Sequence, residues 1–252
     1  MTDHDSTFLG GAALLGAAAV LLLVAALTGR GDMTSATLVL VGFGSFVGGV
    51  VMLTQYRGEP VTPWVAGLAS VGGVVDLGRV AADLGLQGNA HLVPTASGVV
   101  QVVPVGAAPP TLPDDDYSFV DETHGGGLRL VPTGAPLYER LVEKNGLAVP
   151  DTLEGVCAAI KEVGEVALGI ADRVEAVPEG EGLVVVLEGY RLYDGCRAVR
   201  AASPKVCTMI GCPVCSCFGV MVAAGLGRTC VLEHAGGDDR ARSVRLVLRL
   251  LP

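Results

Sequence analysis

Two long uncharged runs stand near the start of the chain, at Phe8–Leu27 and Thr34–Leu53. Neither run contains a proline, and as helices rising about 1.5 Å per residue both are long enough to cross the hydrocarbon core of a bilayer. The segment between them, Thr28–Met33, is short and polar. The pattern therefore predicts a transmembrane helical hairpin within residues 1–57, with spans at about residues 8–27 and 34–53.

The residues before the first run, MTDHDST, are acidic and lack the basic segment that opens a secretory signal peptide. We therefore expect a retained span. Arg30 and Arg57 lie on opposite sides of the second run, so the positive-inside rule is nearly balanced. The thiols of the following domain favour a reducing compartment, and we expect a multi-pass cell-membrane protein whose soluble domain is cytoplasmic.

Small residues recur at four-residue spacing in both runs. Ala12 and Gly16 form one such pair, and Gly44 and Gly48 form the other. This spacing lets helices approach closely, so it predicts packing faces for the hairpin, for a second copy or for another membrane protein. The alternative is that glycine and alanine are simply common in membrane helices.

From residue 58 to residue 252 the pattern changes to short helical and strand-like segments, which predicts one soluble α+β domain. An amphipathic helix runs from Trp64 to about Leu86, and core packing is favoured for it because its polar face is not basic. The further predicted strands are His91–Thr95, Val99–Val105, around Phe119, Leu128–Val131, the hairpin within 168–187, Thr229–Glu233 and Ser243–Leu250. The further predicted helices are Pro136–Lys144, Pro150–Ile170, Tyr193–Ala202 and Cys212–Leu226.

Two stretches of this domain share a pattern at a constant offset. Pro94 and Pro178 are the same distance apart as Gly98 and Gly182, and both stretches begin with a Leu-Gly pair that ends a helix. A fixed offset predicts a duplicated helix–β-hairpin unit, with copies at about 64–146 and 150–252. A small-molecule ligand between the two halves is one use of such an arrangement, and chance similarity is the alternative.

Composition narrows the partners. The chain has a net charge of −9, with 17% charged and 50% hydrophobic residues and a mean hydropathy of +0.54. Nearly all basic residues are arginines. An acidic, lysine-poor surface suits a salt-rich cytoplasm and excludes nucleic acid as a partner, because phosphate binding needs a basic face. The lipid bilayer is the partner that the spans imply.

The seven cysteines carry most of the chemistry that the sequence offers. Cys207, Cys212 and Cys215 have the spacing of plant-type iron–sulfur ligands, and Cys230 follows further on. In a helix, Cys217 would lie about 200° round the axis from Cys215, which removes it from a common shell. The candidate ligands for zinc or an iron–sulfur cluster are therefore Cys207, Cys212, Cys215 and Cys230.

Two other interpretations of the cysteines stay open. Cys212 and Cys215 could form a redox pair, because thiolates are stabilised at a helix N-terminus. Alternatively, all of these thiols fill a tight core, which is also the expectation for Cys157 and Cys196. The residues taken as surface or turn positions without ligand spacing are His4, His91, His124, His234 and the acidic run Asp114–Asp116. No catalytic residue is predicted, since the sequence contains neither a nucleophile elbow nor a phosphate-cradling loop.

The segments HLVPTASGVVQVVPV, GLRLVPTGAPLYERL and CPVCSCFGVMVAAGLGR resemble a family of uncharacterised haloarchaeal membrane proteins over nearly the whole chain. The resemblance implies the architecture and a salt-loving archaeal source, but no mechanism. The tail is similar to the vinyl-four-reductase domain, a small-molecule-binding module. Glu233 matches a glutamate of that module, but no cysteine follows it, which puts the module's metal site in doubt here.

These patterns favour a membrane-anchored, non-enzymatic sensory, ligand-binding or scaffolding domain. The alternative is a membrane-bound metal-binding or thiol-redox protein that uses the segment from Cys207 to Cys217. A third hypothesis is a structural membrane partner whose small-residue helix faces assemble with a second copy or with other spans.

Overall fold

The computed structural model describes residues 3–28, 33–55, 61–106, 117–120 and 125–252. The chain divides into two compact units, Met1–Val61 and Thr62–Pro252, and each is described by itself. Several predicted features lie outside the described residues: the centre of the turn between the runs, Tyr56, Arg57, Pro60, the acidic loop at 109–116, His124 and the side chain of His4.

The first unit is a pair of apolar helices, α1 (Asp3–Thr28) and α2 (Met33–Gln55). The helices are antiparallel and touch at small residues spaced seven apart. A Cβ added at Gly49 would lie 3.0 Å from the carbonyl oxygen of Gly11, and one added at Gly42 would lie 2.9 Å from the side chain of Leu22. Seven-residue spacing of this kind keeps one seam of each helix against its partner.

The four small residues named from the sequence lie off this seam. Gly16 and Gly44 have nothing within 4 Å of an added Cβ, Ala12 is exposed, and Gly48 is 3.8 Å from Leu14. Gly48 is therefore in ordinary contact with α1, whereas Gly16 and Gly44 take no part in the contact between α1 and α2. Packing against another span stays a prediction for them.

The second unit is an α+β domain built on one antiparallel sheet, as the pattern predicted. The sheet has eight strands in the order β3-β4-β2-β1-β7-β8-β6-β5. The strands are β1 (His91–Thr95), β2 (Gly98–Pro104), β3 (Phe119–Val120), β4 (Gly127–Leu130), β5 (Arg173–Glu179), β6 (Gly182–Glu188), β7 (Cys230–Asp238) and β8 (Ser243–Leu250). Alternation along β8 buries Val244, Leu246 and Leu248 on one face, as expected for a sheet with one face on the core.

Seven α-helices complete the described part of the domain. They are α3 (Pro63–Ala69), α4 (Val71–Asp83), α5 (Ala135–Asn145), α6 (Leu153–Glu162), α7 (Tyr193–Ala202), α8 (Pro204–Met209) and α9 (Pro213–Leu226). The single helix predicted from Trp64 is broken at Ser70 into α3 and α4. The long helix predicted to reach Ile170 is α6 followed by one π-helical turn, Val163–Ala167. Its start is capped by Thr152, whose hydroxyl accepts a hydrogen bond from the Gly155 N–H at 3.2 Å.

The core is assembled around α9, which is apolar on all sides. Phe218, Val222 and Met221 are fully buried on this helix, and the sheet strands contribute Leu92, Leu232 and other side chains to the same cluster. A helix that is hydrophobic all round can be stable only where protein or lipid covers every face. A second cluster, which includes Val74, Val206 and Ile210, packs α4 against α8.

The predicted duplication is matched locally. Hairpins β1–β2 and β5–β6 have equivalent register, since Pro94 pairs with Val99 and Pro178 pairs with Leu183. Their places in the sheet differ, however, because the first strand of one hairpin, β1, joins β7, whereas the second strand of the other, β6, joins β8. The repeat therefore stays a prediction.

Four helical stretches among the described residues are long and apolar enough to cross a membrane, which indicates a membrane protein. They are Phe8–Thr28, Met33–Thr54, Pro63–Asp83 and Pro204–Leu226. The protein itself buries 17% of the first and 11% of the second stretch, but 89% of the last. Pro204–Leu226 is therefore the core of the domain, because its side chains have almost no surface left for lipid.

The close contact of Gly134 with α9 provides a test of how α5 packs on α9. A Cβ added at Gly134, just before α5, would lie 2.0 Å from the backbone nitrogen of Cys217 on α9. We expect Gly134→Ala to lower the free energy of unfolding by about 1–3 kcal/mol, because α5 has to move away from α9. Urea titration of the full chain in mild detergent measures the change.

Gly73→Ala is the matched control, since this α4 glycine has nothing within 4 Å of an added Cβ. Alanine is favoured over glycine in a helix by roughly 0.5–1 kcal/mol, so this variant should be at least as stable as the parent. Equal stability of the two variants would contradict the described contact.

Candidate dithiol site at the start of helix α9

Cys212 and Cys215 lie together at the start of α9. Cys212 is the residue before the first helical position, which is occupied by Pro213, and proline is tolerated there because that N–H needs no helical partner. The three-residue spacing puts both cysteines on one side of the first turn. The two thiols are close enough for the Cys215 S–H to influence the ionisation of Cys212. Cys212 is half-buried and Cys215 is buried.

The two thiols differ in acidity because of this contact. The hydrogen bond from the Cys215 thiol is the main cause that lowers the pKa of Cys212, and the backbone N–H groups of Cys215 and Val214 act in the same direction, while burial opposes them. The same hydrogen bond, with burial, raises the pKa of Cys215. The lowered pKa of Cys212 favours its ionisation over that of Cys215, so Cys212 is the candidate nucleophile of the pair.

A small, partly enclosed cavity of about 60 Å³ lies beside Cys212. This is room for one or two water molecules, since water occupies about 30 Å³ in the liquid. Its walls come from three places: the α3–α4 segment, the helix α7 with the residues before it, and the start of α9. Representative lining residues are Gly67, Ser70, Tyr190, Cys196, Cys212 and Pro213.

Cys196 is the member of this site that the sequence did not reveal. It was expected to be a core residue, and it is buried, but it also lines the cavity with Cys212. Burial raises the pKa of Cys196 to about 11, and the neighbouring Cys212 acts in the same direction, while Arg200 partly offsets both. The available signal was its position on α7, where it is buried with Tyr193 at three-residue spacing.

An Arg-Tyr-Asp network fixes α7 next to the cavity. Arg200 Nη2 donates to the Tyr193 hydroxyl at 2.6 Å, and that hydroxyl donates to Asp239 Oδ1 at 2.5 Å. Arg200 Nη1 also donates to the carbonyl of Gly237 at 2.9 Å, which ties α7 to the β7–β8 hairpin. Because α7 carries Cys196, these bonds hold the wall of the cavity opposite α3.

Among the described residues, the four predicted metal ligands do not form one coordination shell. Cys207 is buried on α8 in the second core cluster, and Cys230 is buried on β7. Burial raises the pKa of both thiols to about 12. Within the described ranges, no group of three or more His, Cys, Asp or Glu side chains is placed to hold a metal ion. Zinc or an iron–sulfur cluster at this set stays a prediction.

The surroundings of the other candidate residues named from the sequence indicate structural roles. Cys217 is fully buried, and burial raises its pKa to about 12. Cys157 is buried on α6. His91 is buried, with its Nδ1 2.9 Å from the Asn89 carbonyl oxygen, and burial lowers its pKa. Glu233 forms an ion pair with Arg249 at 3.2 Å on the sheet.

The apolar helix pair, the eight-stranded antiparallel sheet and the dithiol at a buried helix start define an α+β membrane protein. Residues 5–249 match the model of a family described as Domain of unknown function (DUF7982), and the chain belongs to that family. Neither a curated protein nor a solved structure matches it. The haloarchaeal source and the likeness of the tail to the vinyl-four-reductase domain stay predictions.

The acidity of Cys212 leads to a prediction about alkylation. In the full chain in mild detergent, we expect iodoacetamide to modify Cys212 before the six other cysteines. As the pH is lowered, the alkylation rate of Cys212 should fall through a midpoint below about 8.5, the pKa of an ordinary thiol, because the thiolate is the reactive form. Peptide mapping by mass spectrometry over a pH series measures this.

Two substitutions of Cys215 test whether its thiol causes the acidity of Cys212. Cys215→Ala removes the donor, so the midpoint should move to higher pH. Cys215→Ser keeps an O–H donor and should move it less. An unchanged midpoint in both variants, or Cys212 reacting no faster than Cys217, would show that the described hydrogen bond does not control reactivity.

Proposed function

We propose that this protein is a membrane-anchored sensory domain whose switch is the Cys212–Cys215 dithiol. The observation that carries the proposal is the placement of Cys212 and Cys215 together at the start of α9, beside a cavity that Cys212 lines. It joins the sensory hypothesis to the thiol-redox alternative that the sequence left open.

The anchor in this proposal is α1 with α2. Their apolar surfaces are covered by so little of their own unit that lipid is the medium that suits them. Of the other two long apolar stretches, Pro204–Leu226 is already buried by protein. Pro63–Asp83 carries an exposed ion pair, Arg79 with Asp76 at 3.5 Å, and ends in Asp83. Charges in mid-span are costly, so two spans are favoured.

The chemistry expected of the pair is exchange with an external disulfide. The Cys212 thiolate attacks one sulfur of that disulfide, so one S–S bond breaks as a mixed disulfide forms and a thiolate leaves. Cys215 then loses its proton, and its sulfur attacks that of Cys212 and releases the second external thiol. Two electrons and the Cys215 proton pass to the external disulfide, which leaves as one thiolate and one thiol, and the Cys212–Cys215 disulfide remains.

The location that fits this chemistry is the cytoplasmic side of the cell membrane, where thiols are kept reduced and oxidation is a signal. The ligand in this proposal is a low-molecular-weight disulfide. It takes the place of the unspecified small molecule that the predicted repeat suggested. Assembly with a second copy or with another membrane protein is a separate proposal for the exposed faces of α1 and α2.

The test uses the full chain, purified under reducing conditions and reconstituted in liposomes. We expect the protein to float with the liposomes and to form a Cys212–Cys215 disulfide on treatment with glutathione disulfide at neutral pH. Dithiothreitol should reverse the bond. Peptide mass spectrometry identifies the linked cysteines.

In Cys215→Ser the exchange should stop at its first step, with glutathione trapped on Cys212, whereas Cys217→Ala should behave like the parent. Absence of the disulfide in a folded chain would overturn the switch. Near-stoichiometric zinc or iron, lost on substitution of Cys212 and Cys215, would overturn it in favour of the metal alternative. Failure to float would overturn the anchor.

A further inference from the structure

Helix α3 presents an apolar face that the domain does not cover. Trp64, Val65 and Leu68 are all exposed, and they lie on one side of the helix at spacings of one and four residues. None of the residues of α3 is buried. Core packing, which the sequence pattern favours for this region, holds for α4 with its buried Val74 and Val75 but not for α3.

The opposite side of α3 closes the dithiol cavity. Gly67 faces α7, where a Cβ added at Gly195 would lie 2.1 Å from the Gly67 carbonyl oxygen. Gly67 and Ser70 line the cavity that Cys196 and Cys212 line from the other side. The helix therefore has two faces with different surroundings, one over the thiols and one without a protein partner in the described part of the domain.

The exposed face of α3 is close to α2 along the sequence. Only residues 56–62 separate the end of α2 from the start of α3, and a chain of that length reaches at most about 25 Å when fully extended. From Val61 to Val75 the sequence has no charged residue. An uncharged segment that directly follows a span and exposes a tryptophan is suited to the layer between headgroups and hydrocarbon.

A cavity of about 450 Å³ beside Trp64 adds a polar side to this surface. Arg191 and Arg242 line it, and each arginine lies 3.6 Å from a carboxylate, Asp172 and Asp194 respectively. An exposed tryptophan next to arginine side chains suits a membrane interface. The apolar ring can enter the bilayer while the polar side chains stay among the headgroups.

We propose that the exposed face of α3, formed by Trp64, Val65 and Leu68, lies in the interfacial layer of the bilayer that α1 and α2 cross. This inference rests on the proposed anchor. It gives α3 a function as the membrane-held cover of the dithiol cavity, so that access to Cys212 depends on how α3 meets the lipid.

Trp64 is the single tryptophan of the chain, so its fluorescence reports on α3 alone. In liposomes holding the full chain, lipids brominated near the headgroup should quench most of the emission. Lipids brominated near the chain ends should quench much less. Leu68→Glu should lose much of the quenching and should speed the alkylation of Cys212, since a charge disfavours the contact with lipid.

Val142→Glu is the matched control, because Val142 lies on a helix and is 40% exposed, against 42% for Leu68. It should leave both measurements unchanged. No quenching in liposomes that carry the protein on flotation would overturn the inference while leaving the anchor intact. Quenching strongest near the chain ends would also overturn it, because α3 and α4 would then be a further span. A chain that does not float overturns the anchor itself.

Discussion

The burial of α9 is the constraint on which the domain depends. The helix is apolar on every side and is enclosed by the sheet and by α5 and α6, so its first turn has to begin inside the protein. The free N–H groups at a helix start favour a negative charge nearby. The pKa of the half-buried Cys212 is lowered mainly by the Cys215 thiol and further by the backbone N–H groups at this start, whereas burial raises the pKa of Cys217 and of Cys230 to about 12.

The apolar surfaces of the helices in this chain are covered in two different ways. Helices α1 and α2 use each other only along a narrow seam at Gly11, Gly42 and Gly49, which leaves most of their surface for lipid. Helix α9 is covered by protein instead. Composition does not separate the two cases, since both have high mean hydropathy. What separates them is the surrounding chain: strands with alternating faces follow α9, whereas only residues 29–32 lie between α1 and α2.

Local pattern was sufficient for much of the fold and for the position of the dithiol. Helix α7 and strand β8 have the predicted bounds, because helical or alternating periodicity and flanking turns agree there. The break at Ser70 and the short α8 were not predicted, since they depend on packing against distant elements. The Cys196 wall of the cavity was missed for the same reason. Spacing along the chain does not determine where Cys207 and Cys230 are buried, so a metal site that they share with Cys212 and Cys215 stays a prediction.

The central claim is that the protein stabilises the reduced form of the Cys212–Cys215 pair by holding an acidic thiolate. The reduction potential of this pair tests it most directly. It is measured by equilibrating the full chain in liposomes with glutathione buffers and mapping the disulfide by mass spectrometry. Stabilisation of the reduced form predicts a potential between about −270 and −120 mV, the range of exchanging dithiols. A potential below about −300 mV, as in structural disulfides, or no disulfide at any ratio, would contradict the account.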